Sequence, residues 1–502
     1  MTLRLAPMRD FRSTGAASPA GWRSILCLLL LAVSTTPTRA QSQQDALSRF
    51  ERQLEQIRRD TTLQVDTSVP VGQRLLFDYG AFVQFGYLSL DDNRNDNHVL
   101  RQYDVVGYVR ANHDGANEVF LRGRTGYRDF NDRDSFDGRG DEVIDPDLDR
   151  GYYRFDLRRY DAAYRGRTAD TFNLVFEAGR DLVYWGNGLT LGVPIDGVIT
   201  DLTFGNLTLE VVAGVTPTRT VDFDFSRPSF DHNTRRGFYG AILSAQLGVH
   251  RPFVYALAQR DYNTENHRLI ENQDVRFKYD SYYLGAGSSG TLLTDRLAYG
   301  VEAVLEGGRT YSSNFGTVDD TTVSVPQGKD DVCAWATDVR LDYLFAGARK
   351  ARLSAEAILA SGDPDRQVTS ATVGGNRHGT ADHAFNAFGF LNTGLAFAPE
   401  VSNLAALRLG ASTFPAPGVS TFERLQLGLD VFVYAKLRED APVNEPTTAD
   451  RYLGVEPDLY INWQITNDFS LAVRYGAFFP GSAFGSNDDV RQFFYAGVTY
   501  AF

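Results

Sequence analysis

Arg491-Gln-Phe-Phe-Tyr-Ala-Gly-Val-Thr-Tyr-Ala-Phe502 forms the end of the chain. Successive side chains of an extended strand point to opposite faces. Phe494, Ala496, Val498, Tyr500 and Phe502 therefore share one side, with Gln492 and small residues interleaved. A strand that shows hydrocarbon one apolar face at every second position is what the wall of a membrane-spanning barrel needs. Working back from this stretch, the same two-residue period recurs as far as Leu75.

The opposite end reads as an export signal. Arg4, Arg9, Arg12 and Arg23 precede the apolar run Ile25–Val33, and Thr38-Arg39-Ala40 offers a small-residue cleavage site before Gln41. The run is too short for a bilayer, which takes about 20 apolar residues. Residues 1–40 are thus expected to be a signal peptide. Cleavage removes Cys27 and leaves Cys333 with no intrachain disulfide partner. It also removes five Arg and one Asp, moving the net charge from −13 to −17. So acidic a chain argues against nucleic acid as a partner, since that needs a basic surface. A composition of 25 Tyr, 34 Phe and 46 Gly, with two Met and two Cys, fits a barrel with aromatic girdles.

Residues 41–74 read as a periplasmic amphipathic helix and linker. Leu47, Phe50, Leu54 and Ile57 follow at spacings of three, four and three, a helical stripe flanked by charge. Residues 44–60 are a candidate contact for a periplasmic partner. From Leu75 the period predicts eighteen strands, near 75–90, 99–112, 117–128, 150–165, 171–182, 196–203, 206–215, 236–247 and 252–262, then near 276–288, 295–308, 333–346, 351–361, 402–412, 422–437, 453–465, 469–479 and 491–502. Links at 129–149, 216–235, 263–275, 309–332, 362–401 and 438–452 are long, whereas those at 113–116, 248–251, 347–350 and 466–468 are short. Long extracellular loops and short periplasmic turns give that pattern. A nineteenth strand at Ala384–Ala398 would invert it. The expected fold is all-β: a transmembrane antiparallel up-and-down β-barrel of about eighteen strands over 75–502, in the outer membrane, with a short N-terminal periplasmic helix.

Alternation also assigns faces. Leu121 and Tyr127 face lipid while Arg122 and Arg124 take the other side; Val339, Leu341, Tyr343 and Phe345 oppose Asp338, Arg340 and Asp342; Ser470 and Arg474 point inward. An Arg or Lys on the lipid face near the midplane costs about 2–4 kcal/mol, so these charges are expected to line a hydrated interior. Arg154, Asp156, Arg158 and Arg424 are placed there too, with Glu177, Glu302, Glu356 and Asp430. A barrel of this size leaves an aqueous channel unless something plugs it.

Two stretches carry a resemblance. The first is Gly179-Arg-Asp-Leu-Val-Tyr-Trp-Gly-Asn-Gly188 followed by Asp196-Gly-Val198; the second is Leu453-Gly-Val-Glu-Pro-Asp-Leu-Tyr-Ile-Asn-Trp463 with Leu471-Ala-Val-Arg-Tyr-Gly-Ala-Phe-Phe-Pro-Gly481. The first is similar to a strand ending, and the second resembles the closing hairpin, of the alginate-export family of outer-membrane porins. The resemblance implies a monomeric barrel that lets an anionic polysaccharide leave the cell through an arginine-lined constriction. It carries over Arg180, Glu456, Asp458 and Arg474 as lumen candidates. Counted from Leu174 and Phe176, Arg180 would face lipid, so a bulge at Gly179 is expected to turn it inward. The interior charges are mixed rather than a uniform cation ladder. The expected solute is therefore an anionic or neutral oligo- or polysaccharide, crossing passively, with a porin of no polysaccharide specificity as the alternative. Outer-membrane lipid and lipopolysaccharide are the expected surroundings.

A barrel enzyme is the reading from another class. His98, His113, His232, His250, His267, His378 and His383 show neither metal-type nor nucleophile-elbow spacing, so no catalytic residue, metal or cofactor is expected. The acidic segments Asp91–Asn97 and Asp129–Asp149 offer oxygens for calcium, without EF-hand spacing. The Gly-rich stretch 362–401 contains Phe385, Phe388 and Phe390. An exposed loop rarely keeps so many aromatics, and this one is expected to enter the lumen as a constriction or lid.

Overall fold

A computed structural model describes residues 75–502, except 95, 133, 136–139, 168–170, 218–234, 263–267, 271–272, 277, 293–295, 319–320, 367–375 and 488. The expected signal peptide and the helix and linker of 41–74 lie outside the described residues. In chain order the strands are β1 (Leu75–Asp91), β2 (Asn97–His113), β3 (Asn117–Phe130), β4 (Glu142–Asp156), β5 (Phe172–Tyr184), β6 (Gly192–Phe204), β7 (Leu207–Val215), β8 (Arg236–Ala245), β9 (His250–Asp261), β10 (Arg268–Ile270) and β11 (Gln273–Val275). There follow β12 (Tyr279–Leu292), β13 (Leu297–Tyr311), β14 (Phe315–Val318), β15 (Thr321–Ser324), β16 (Lys329–Leu344), β17 (Arg352–Ala360), β18 (Leu404–Thr413), β19 (Leu425–Lys436), β20 (Tyr452–Gln464), β21 (Phe469–Pro480) and β22 (Arg491–Ala501). The pairs β10–β11 and β14–β15 are small loop hairpins, and the other eighteen strands form one sheet.

That sheet closes. β22 pairs antiparallel with β1 from Phe82↔Ala501 to Leu90↔Phe493, and Ala81 and Phe502 exchange N–H···O bonds of 3.0 and 2.9 Å. Closure leaves no unpaired edge in hydrocarbon, the condition for a sheet to span a membrane. At the short end of the β2–β3 hairpin, Asp114 and Gly115 both take positive φ, 54° and 70°, the turn that matches strand twist. No helix among the described residues is long and apolar enough to cross a membrane; the crossing is made by strands.

The alternation holds. Leu121, Val339, Leu341, Tyr475, Phe494 and Tyr500 are exposed on the outer wall, while Asp338, Glu456 and Arg474 are buried inside. Two expectations are corrected. Gln492 lies in step with the outward Phe494, and the residues that alternate inward on β22 include the large Arg491, Phe493 and Tyr495, all buried. The fourth strand begins earlier than expected and stops at Asp156, where helix α1 (Leu157–Arg165) takes over. Asp156 caps it by accepting the Arg159 N–H, and Gly166 ends it at φ 61°. Leu157-Arg-Arg-Tyr-Asp-Ala-Ala-Tyr-Arg165 is rich in helix formers and outside the bilayer nothing holds it extended. Arg158 is therefore on a helix at the periplasmic end and not on the strand.

Inside the barrel, two apolar clusters fill much of the space. One gathers Phe397, Tyr434, Phe478 and Phe484, with Phe397 and Phe478 stacked at 4.3 Å. The other gathers Trp185, Phe238, Phe385 and Phe388.

Candidate functional site

Both clusters are built by chain segments that leave the wall and turn inward. The first is the β5–β6 turn, residues 185–191. Its tight path uses positive φ at Gly186 (59°) and Gly188 (89°), and a Cβ on Gly186 would lie 2.5 Å from Glu302 Oε2. The Asn187 N–H donates to Glu302 Oε2 at 2.6 Å and its side-chain amide to Asp338 Oδ2 at 2.8 Å. Arg340 Nη2 donates to the Asn187 carbonyl at 2.9 Å, and the Trp185 indole to Glu210 at 2.6 Å. The turn is thus pinned to β13, β16 and β7 at once.

The second segment joins β17 to β18. Its described part starting at Asn376 first runs beside the upper half of β16, where β17 is too short to reach. There Asp382 N–H donates to Asp331 O and Cys333 N–H to Asp382 O, each at 2.8 Å. A buried Arg366–Asp382 ion pair fixes this stretch. The chain then crosses into the lumen and meets the turn: Phe388 N–H to Thr190 O (3.0 Å), Gly192 N–H to Phe388 O (2.8 Å) and Phe390 N–H to Gly188 O (2.7 Å). A buried loop must still satisfy its backbone groups, and inward carboxylates do this. Glu306 accepts the Asn386 N–H at 2.9 Å, beside the hydroxyl of Tyr279. Glu456 accepts three N–H groups, from Leu395 and Ala396 at 2.6 Å and Phe397 at 2.9 Å. Phe385 and Phe388 are buried and Phe390 is half-buried, so the aromatic loop does enter the lumen.

Space remains on the periplasmic side of this loop. A cavity of about 390 Å³ is lined by Arg352, Arg408, Asp430, Asp458 and Arg474, with Asn392 and Leu395 of the loop. Through Gln426 and Asn462 it adjoins a second cavity of about 570 Å³, lined by Gln84, Gln464, Asn467, Ser470 and Thr499 toward the short β20–β21 turn.

The residues expected in the lumen divide into groups. Arg474 and Asp458 line the inner cavity, and Glu456 clamps the loop above it. Asp342 is held by Arg352 at 2.6 Å near the same cavity. Arg340 lies between Glu356 (2.5 Å) and Asp338 (3.0 Å) as a strut for the turn. Arg122 pairs with Asp149 and Arg124 with Asp104, and Arg154 stands opposite Glu177 on β5. Asp156 is a helix cap. Arg424 is exposed in the β18–β19 turn, donating to Asn467. Arg180 is not turned inward. The β5 register runs through Gly179 without a bulge, and Arg180 stays out of step with the inward Asp181 and Val183, bound to Asp196 at 2.6 and 2.9 Å. Gly179 instead takes φ 138° so that β4 can approach; a Cβ there would lie 2.2 Å from Gly151 O.

The family described as alginate export matches residues 87–496. The chain belongs to the alginate-export family. No curated protein matches it. Among solved structures, Acinetobacter baumannii OccAB3 is 10% identical with a TM-score of 0.51, covering 85% of this chain and 99% of that one. Pseudomonas aeruginosa OccK11 (OpdR) is 12% identical with a TM-score of 0.50, covering 85% and 95%. Pseudomonas aeruginosa OccK8 (OprE) is 12% identical, also at 0.50, covering 85% and 98%. At such identities the likeness is one of fold, an outer-membrane porin barrel. This alginate-export protein is an outer-membrane β-barrel channel.

Within this alginate-export barrel, the motif Tyr184-Trp-Gly-Asn-Gly188 is the inward turn, a role that strand periodicity does not reveal. Periodicity likewise does not assign the role of Glu306. Its signal was present: Glu302 and Glu306 share one face of β13, where each remaining residue between Gly300 and Gly308 is Val, Ala, Leu or Gly, and charges inside an apolar cluster need donors from somewhere.

Proposed function

We propose that the channel passes an anionic or neutral saccharide by diffusion. The observation that carries this reading is the pair of adjoining cavities. The one nearer the periplasm carries amides and hydroxyls in its lining, from Gln84, Gln426, Asn462, Gln464, Asn467, Ser470 and Thr499. Beside them stand Arg424, Asp468 and the rings of Phe414, Trp463 and Phe469. Such amides and hydroxyls both donate and accept hydrogen bonds as sugar hydroxyls do. The deeper one adds Arg352, Arg408 and Arg474, whose planar forks suit carboxylates. An unobstructed general porin is less well supported, because a loop clamped by Glu306 and Glu456 narrows the way.

Of the arginines expected from the sequence, Arg474 is kept as a decisive residue, and Arg408 joins it. Arg122 and Arg124 are paired within the wall and Arg158 lies on a helix, so a basic constriction is better sought at Arg408 and Arg474. The test is planar-bilayer recording with oligoglucuronate and neutral glucose oligomers added on the periplasmic side. Both are expected to interrupt the current. The double variant Arg408→Gln, Arg474→Gln should weaken the oligoglucuronate block about tenfold or more, the effect of losing a charge-assisted hydrogen bond. A conducting channel whose current no saccharide interrupts would overturn the reading.

A further inference from the structure

One seam of the wall is zipped over only part of its height. β4 and β5 pair from Asp156↔Val175 to Gly151↔Arg180 and no further. Both strands continue. β4 stays on β3 as far as Glu142↔Arg128, and β5 stays on β6 as far as Tyr184↔Gly192. Above Gly151 and Arg180 the two lips therefore face each other without a ladder. On β5, Leu174, Phe176 and Ala178 alternate outward below this point, and Arg180 follows them. The gap thus begins where the apolar band of the wall gives way to headgroups.

Each lip is finished as an edge. β4 carries Pro146, which has no N–H to offer, and its register on β3 slips after Arg122 and again after Arg124. Proline, bulges and charge are how sheets blunt an unpaired strand. The Leu148 N–H donates to the Asp147 carboxylate at 2.8 Å. On β5, the Trp185 N–H meets Leu191 O, and antiparallel alternation then turns the Leu182 N–H away from β6. Asp181 takes that N–H at 2.6 Å. Lips that satisfy their own backbone groups can stand apart. Two arginines bridge them. Arg150 of β4 donates to Asp181 Oδ2 at 2.7 Å on the lumen side. On the outer side Arg180 is anchored to its own lip by Asp196 of β6. It reaches across to the Leu148 carbonyl and, at 3.6 Å, to Asp147. Behind the seam the lumen is polar, with Arg122 on Asp149 and Arg124 on Asp104. Neither pair belongs to the apolar clusters that fill the lumen elsewhere.

We propose that this seam is a side portal of the channel. The arginine clasps release, β4 and β5 part above Gly151, and the saccharide passes sideways between the lumen and the cell surface at the level of the outer headgroups. Such a route needs no movement of the loop that Glu306 and Glu456 hold in place. It rests on the saccharide-channel reading for what passes, and adds to that reading where it passes.

The test joins the lips reversibly. Arg150→Cys and Asp181→Cys occupy the next register step above Gly151↔Arg180, in a full-length channel whose own thiol is removed by Cys333→Ser. The thiols are joined by oxidation, or by a bis-methanethiosulfonate where they do not meet, and released with dithiothreitol. One folded protein is thus measured in both states. Passage of glucose oligomers is followed by liposome swelling, and potassium chloride conductance is recorded in planar bilayers. Joining the lips is expected to abolish oligomer passage while conductance persists, and release to restore it. Arg180→Gln, which loosens the outer clasp without a thiol, should speed the oligomers about tenfold, the effect of losing a charge-assisted hydrogen bond. Oligomer passage unchanged by the cross-link overturns the portal and leaves the saccharide channel standing. So does Arg180→Gln running at the wild-type rate. If the wild-type channel conducts potassium chloride but passes no oligomer, the saccharide reading itself fails and takes the portal with it.

Discussion

A carboxylate can take several hydrogen bonds on its two oxygens, and Glu456 does so: Oε1 receives the N–H groups of Leu395 and Ala396, and Oε2 that of Phe397. Gln at this position would keep one acceptor and turn an amide against N–H donors. Hydrogen bonds to charged groups contribute about 1.5–3 kcal/mol, so Glu456→Gln should free the end of the loop, seen as faster flicker and a higher mean conductance in single-channel records. At the outer rim, Asp92 offers a pH test. Burial works against its charge, but hydrogen bonds from His98 and from the N–H groups of Arg94 and Asp96 outweigh it and hold the carboxyl below its usual range. A depressed pKa contributes stability that is complete above the unfolded value of 3.8 and is lost as pH falls through the lower folded value. The β1–β2 loop should resist pepsin at about pH 4 and be cut at about pH 2, whereas Asp92→Asn should be cut at both. Equal protection of the variant at the higher pH would refute the clasp.

At the scale of elements, the latch between the β5–β6 turn and the β17–β18 loop depends on one glycine. A Cβ on Gly389 would lie 2.2 Å from Leu189 O and 2.3 Å from Gly188 O, so Gly389→Ala forces the two backbones apart. With each lost backbone bond worth about 1 kcal/mol, the loop should swing out and the unitary conductance rise; unchanged conductance would mean that the loop does not set the pore. All eighteen barrel strands were legible in the sequence, because a wall with lipid on one side writes its period into neighbouring residues. The expected segment at 150–165 failed at its second half for the same reason: beyond Asp156 no lipid imposes a period, and Leu157–Arg165 follows its own helix propensity. The aromatic content of 362–401 announced an inward loop, but not its path. That path is set by bonds such as Asn187 to Asp338, 151 residues apart, which leave no local trace. The lumen candidates show the same division. Parity placed Arg340 and Asp338 inside, yet could not tell a strut from a residue lining the cavity, and family likeness drew Arg180 inward where strand register keeps it out.

For the whole molecule, the claim is that one closed wall separates hydrocarbon from water residue by residue. The sharpest check uses two neighbours at nearly the same depth in β1. Val83 is 39% exposed on the outer wall, whereas Gln84 lines the cavity toward the periplasm and donates to Tyr495 at 3.2 Å. Arginine at position 83 must put a guanidinium against lipid, at a cost that reaches about 2–4 kcal/mol at the bilayer midplane and is smaller toward the periplasmic interface. Arginine at 84 enters a hydrated cavity that already holds Gln426, Asn462 and Gln464, and loses only one neutral hydrogen bond, about 1 kcal/mol. Unfolding in guanidinium from lipid vesicles should therefore show Val83→Arg well below the wild-type barrel and Gln84→Arg close to it. Reversal of that order would place water outside and lipid inside. Equal losses would mean that the two faces of β1 meet the same surroundings, and the assignment of every inward charge, Arg408, Asp458 and Arg474 included, would go with them.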